Sequence, residues 1–145
     1  MGLIRDIYKL EPNTRYNVVL ALAELDLKGI KYFINETLRL QQTQYCYWLQ
    51  GRGNPLELVN YFRTLSGLWT IGELDNQKQI TQTVQSKHII GKAIDIVPSV
   101  DGKSPNWNAP IADYQKIASV MKSHGMNWGG DWKSFQDNPH YELAE

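Results

Sequence analysis

The chain has 145 residues, which suits one domain, residues 1–145, and leaves too little for a second core. Hydrophobic residues at 42% and aromatics at 11% predict a packed globular core rather than disorder. Lys plus Arg and Asp plus Glu number 15 each, so the net charge is zero, and without a basic stripe nothing points to nucleic acid as a partner.

Met1 to Tyr8 contains no long apolar run, so neither a secretory signal nor a membrane anchor is expected there. Synthesis in the cytoplasm without stable membrane association is the corresponding expectation. Residues 13–28 read as a helix capped by Asn13 or Thr14 and ended by Gly29, with Tyr16, Val19, Leu20, Ala23 and Leu27 on one face. Ile30 to Asn35 reads as a strand. Helical spacing returns from Thr37 to Gln50, with Leu38, Tyr45, Trp48 and Leu49 on one side and Gly51 as the stop. Cys46, the lone cysteine, allows no intrachain disulfide and reads as a small buried hydrophobe.

Residues 51–85 carry no clear period, although Leu56 to Leu68 could be a short helix. They read as a loop-rich insertion of the kind that shapes substrate clefts. Ala93 to Val97 alternates as a strand ending at Pro98, with Ala93, Asp95 and Val97 on one face. A polar loop over residues 99–108 leads to a helix from Pro110 to His124, its stripe made by Ile111, Tyr114, Ile117, Ala118 and Met121. Tyr141 to Ala144 reads as the last strand.

Two runs carry chemistry. Ser86-Lys87-His88 leads through Gly91 to Asp95, and Asp137-Asn138-Pro139 leads to His140 and Glu142. Two imidazoles and one carboxylate can hold a zinc ion and leave its fourth position to water. A further carboxylate can then act as base. Asp95 interrupts an apolar strand, where an inward carboxylate is costly unless it is paired or metal-bound. Asp137 and Glu142 are rival bases, and Asp131 is a candidate for supporting a ligand. His124 falls in the last turn of its helix, where the helix dipole favours a cation.

Ser86-x-His88-x-x-Gly91-x-Ala93-x-Asp95 resembles the zinc motif of the D-alanyl-D-alanine carboxypeptidase and L-alanyl-D-glutamate endopeptidase family. Trp128-Gly129-Gly130-Asp131-Trp132, followed by Asp137-x-Pro139-His140-Tyr141-Glu142, resembles the C-terminal half of its phage-endolysin branch. The resemblance implies an α+β fold, a small antiparallel sheet packed with helices and a zinc site on the sheet face. It implies His88, Asp95 and His140 as ligands, Asp137 as general base, and Arg39 as a hold on substrate or oxyanion. Ser86, Asp131 and Glu142 are its supporting or substrate-contacting candidates. The implied partner is the stem peptide of bacterial peptidoglycan, cut by a monomeric enzyme that reaches the cell wall after release. A D-alanyl-D-alanine dipeptidase or carboxypeptidase, and a non-catalytic wall-peptide binding module, are the alternatives.

Overall fold

The computed structural model describes residues 2–145. Met1, in the N-terminal stretch read above, lies outside the described residues. Four strands pair antiparallel in the order β1 (Tyr32–Glu36), β2 (Ala93–Pro98), β4 (His140–Leu143), β3 (Met126–Trp128). The alternation of β2 sends Ile94 and Ile96 into the core with Tyr141 of β4. Helices α1 (Pro12–Leu27) and α5 (Ile111–Ser123) complete that core through Val18, Ala21, Leu25, Ile117 and Met121. The architecture is the α+β arrangement expected, with helices against an antiparallel sheet.

The side of α1 that packs differs from the expectation. Val18, Ala21, Leu22 and Leu25 are buried, whereas Tyr16 is 67% and Leu27 88% exposed. Apolar residues surround this helix, so their spacing alone does not select a face. Its cap is Glu11, whose carboxylate accepts from the backbone N–H of Asn13 and Thr14, with Pro12 in the first turn.

Helix α2 (Gln41–Leu49) starts four residues later than the spacing suggested. Thr37 is tied to the N-terminal segment instead. Its backbone N–H donates to the Ile4 carbonyl and its hydroxyl bonds the carbonyls of Ile4 and Asp6. Those bonds hold the chain extended before the helix begins. The buried side of α2 carries Thr43, Gln44 and Cys46, and Tyr45 is exposed. Residues 51–85 contain α3 (Leu56–Leu65) and the single turn α4 (Glu73–Asn76), followed by coil that borders a cleft. Strand β3 was not foreseen, and β4 begins at His140 rather than Tyr141. No helix among the described residues is long and apolar enough to cross a membrane.

Candidate active site

Sheet register builds the site. Asp95 of β2 stands opposite His140 of β4 and, on its other side, opposite Glu36 of β1. A bulge between Ile34 and Glu36 shifts the register of β1 and brings Glu36 into this row. Three polar side chains thus cross the sheet side by side, away from Ile94 and Ile96.

His88 comes from a short 3-10 turn, Lys87–Ile90, that precedes β2. The Ser86 hydroxyl caps this turn by accepting from the His88 backbone N–H at 3.2 Å. Gly91 ends it at φ +72, and a Cβ there would lie 2.8 Å from the Glu11 nitrogen. Only a glycine lets the chain turn back this tightly into the strand that carries Asp95.

His88 Nε2 lies 3.1 Å from Asp95 Oδ1, and His140 Nδ1 lies 3.4 Å from the same oxygen. One ligand atom from each of the three residues falls within 4.8 Å of the others. The remaining ring nitrogens are already committed. His88 Nδ1 donates to the Thr37 carbonyl at 2.7 Å, and His140 Nε2 donates to Glu142 Oε1 at 2.9 Å. Such outer bonds fix ring orientation and leave the inner nitrogens free to ligate. Trp132 packs against the His140 ring at 5.1 Å between centroids.

The electrostatics match a cation site. Burial opposes ionisation of Asp95, yet the His88 charge and the hydrogen bonds from both imidazoles hold its carboxyl well below the usual range. Burial also opposes charge on His140, but hydrogen bonds to Asp95 and Glu142 push it up to about 9. The His140 bond lowers Glu142. Burial, reinforced by the Asp95 charge, raises the Asp137 carboxyl.

Asp137 lines the same cleft, a cavity of ≈ 700 Å³ that also contains His88, Asp95 and His140. Its placement depends on Gly129, where a Cβ would fall 2.4 Å from the Asp137 carbonyl oxygen. The Asp137 backbone N–H donates to the Gly129 carbonyl, and the His140 N–H donates to that of Asp137. Gly129 therefore serves close packing of the segment that delivers the aspartate and the histidine, whereas a Cβ on Gly130 would fall 2.2 Å from the Trp128 ring.

Arg39 borders the cleft with three of its five N–H donors already used. Nε and Nη2 bond Glu36, at 2.5 Å for Nη2, and Nη1 bonds Gln44 at 2.7 Å. Its Nη2 lies 3.8 Å from Asp95 Oδ2. Asp131 is not gathered into the site: it is half exposed and pairs with Lys122 at 2.6 Å. His124 bonds Glu24 at 3.0 Å. Cys46 is buried, with Sγ 3.1 Å from the Ser66 hydroxyl. Sequence reasoning did not single out Glu36, Gln44 or the Thr37 carbonyl. The spacing Glu36-x-x-Arg39 was the available signal for the first of these.

Residues 79–143 match the family model described as D-alanyl-D-alanine carboxypeptidase. The chain is 29% identical over 141 residues to the L-alanyl-D-glutamate peptidase of Listeria phage A118, covering 97% of this chain and 40% of that protein. It is also 29% identical to the peptidoglycan L-alanyl-D-glutamate endopeptidase CwlK of Bacillus subtilis strain 168, over 92% of this chain and 73% of the relative. A solved structure of the Serratia marcescens L-Ala D-Glu endopeptidase ChiX shares the fold, with a TM-score of 0.60 and 24% identity. That likeness covers 99% of this chain and 90% of the other. The resemblance carried by the two motifs is thus borne out: residues 79–143 match this family model, and the chain is similar to two L-alanyl-D-glutamate peptidases. It spans 40% of the length of the phage relative.

Proposed function

We propose that this chain is a zinc-dependent peptidase that hydrolyses the L-alanyl-D-glutamate bond of peptidoglycan stem peptides. The observation that carries the reading is the convergence of His88, Asp95 and His140 ligand atoms within 4.8 Å, in a cleft that also holds Asp137. Two nitrogens and one oxygen, with a side left open to a cleft, suit catalytic rather than structural zinc. The names of the phage and Bacillus relatives support the choice of bond. We propose residues 1–145 as one catalytic domain, acting as a monomer. A phage relative supports a role in bacterial lysis, on the cell wall after release.

Zinc, when bound, supplies a Lewis acid for the scissile carbonyl and brings the pKa of a water toward neutrality. His88, Asp95 and His140 would hold it, and the Thr37 carbonyl and Glu142 keep both imidazoles in the tautomer that can ligate. Asp137 takes the proton of the attacking water on its carboxylate and returns it to the leaving amine. Its raised proton affinity suits both halves of that task. Arg39 has two N–H groups left to meet the negative charge that develops on the carbonyl oxygen. The Glu36 carboxylate fixes the guanidinium in place.

The test uses a synthetic stem peptide and the zinc-loaded protein. Cleavage must yield new N-terminal D-glutamate. Release of D-alanine instead would replace this reading with the carboxypeptidase named by the family model.

A further inference from the structure

Trp69 is 61% exposed on the wall of the cleft, yet its backbone and one side of its ring are engaged from behind. Behind it lies Arg63 of α3, only 2% exposed, with its guanidinium carbon 5.1 Å from the centre of the Trp69 ring. Arg63 Nε donates to the Trp69 carbonyl at 2.7 Å, and its other hydrogen bond goes to neutral Gln50 Oε1. Two residues on, Asn60 grips Ile71 reciprocally, donating to its carbonyl at 3.0 Å and accepting from its N–H at 2.8 Å.

Burying a cation against neutral oxygens is expensive. What the fold obtains here is a rigid indole braced on one side and open to the cleft. The same cleft is also lined by the exposed Gln82, Thr83 and Gln85 with the half-buried Thr81. This stretch offers amides and hydroxyls and no charge. A cleft that offers a flat aromatic face together with neutral donors and acceptors is one a pyranose ring fits, through its C–H face and its hydroxyls. An acidic peptide would call instead for free cations there.

We infer that Trp69, with the 81–85 segment, forms a subsite for a sugar ring of the glycan strand. The inference rests on the proposed function. The L-alanine of the stem is joined to the muramic acid of the glycan, so a site that cuts after it has a sugar within reach. Residues 51–85 thereby gain a purpose: they build and brace a platform that selects glycan-linked stems over free peptides.

Two measurements decide it. Zinc-loaded wild type, Trp69→Ala and Trp69→Phe are compared on one L-alanyl-D-glutamate stem, free and attached to its disaccharide. Wild type should prefer the attached form by about tenfold, the size of one stacking contact. Trp69→Ala should abolish that preference through KM, and Trp69→Phe should restore part of it. Equal preference in wild type and Trp69→Ala would overturn the inference. Independently, the peptide-free disaccharide is titrated into the protein while indole N–H resonances are followed. Movement of the resonance that is missing from Trp69→Ala supports the subsite, and no movement at saturation overturns it. If neither stem is cut, the proposed function fails, and the titration still judges the sugar subsite.

Discussion

At the scale of single residues, holding the proposed ion and using it fall to different side chains. His88→Ala should lose both zinc and turnover, as read by metal analysis and peptide hydrolysis. Asp137→Ala should keep zinc and lose roughly 10²- to 10⁴-fold in rate, the usual worth of a general base. Near-normal turnover in Asp137→Ala would remove it from the scheme. Glu142 was a rival base on sequence grounds, and its carboxylate is instead spent on the far nitrogen of His140. Glu142→Gln should therefore weaken zinc binding by roughly 10- to 100-fold, as outer-ligand changes do, in a competitive chelator titration. Asp95 was legible because a carboxylate is costly inside an apolar strand, and His88 and His140 as proposed ligands through the resemblance of the runs that hold them. Arg39 was legible through the resemblance as a hold on substrate or oxyanion; its pairing with Glu36 was signalled only by the Glu36-x-x-Arg39 spacing, and the bulge that brings Glu36 beside Asp95 leaves no mark in the pattern.

Elements were legible where pattern and packing agree. The alternation of Ala93 to Val97 predicts β2 because Ile94 and Ile96 face the core while Asp95 opens to the site between the buried Ala93 and Val97. The stripe of α5 held for Tyr114, Ile117, Ala118 and Met121, while Ile111 is exposed at the helix start. For α1 the helix was legible and its packed face was not, because that choice belongs to the sheet beneath. The three residues of β3 are too few to show a period. Residues 51–85 were opaque because side chains bonded to backbone, such as Arg63 and Asn60, order them. Glycines offer a sharp test at this scale. Gly129→Ala would press a Cβ into the Asp137 backbone and should cost roughly 1–3 kcal/mol in denaturant unfolding. Gly72→Ala, which meets nothing within 4 Å, should leave stability almost unchanged.

For the whole molecule, the proposed zinc would be both cofactor and brace. Zinc at a hundredfold excess over Kd should add about 2.7 kcal/mol of stability, visible as a higher Tm that chelator reverses. The charge on His140 sets the pH dependence. Its affinity for protons is raised from the ordinary 6.5 to about 9. In chelator-stripped protein its contribution to stability is full below pH 6.5 and is lost as pH rises through 9. Zinc must displace that proton, so binding near pH 7.5 should release it and the apparent affinity should climb toward pH 9. Calorimetry in buffers of different ionisation enthalpy reads the release, and a buffer-independent heat would contradict it. The central claim is tested most directly by incubating the protein with isolated peptidoglycan, with and without chelator, and identifying the new termini by mass spectrometry. The account predicts N-terminal D-glutamate that vanishes with chelator and returns with zinc. Termini that form regardless of chelator, or no new termini in the zinc-loaded sample, would contradict it.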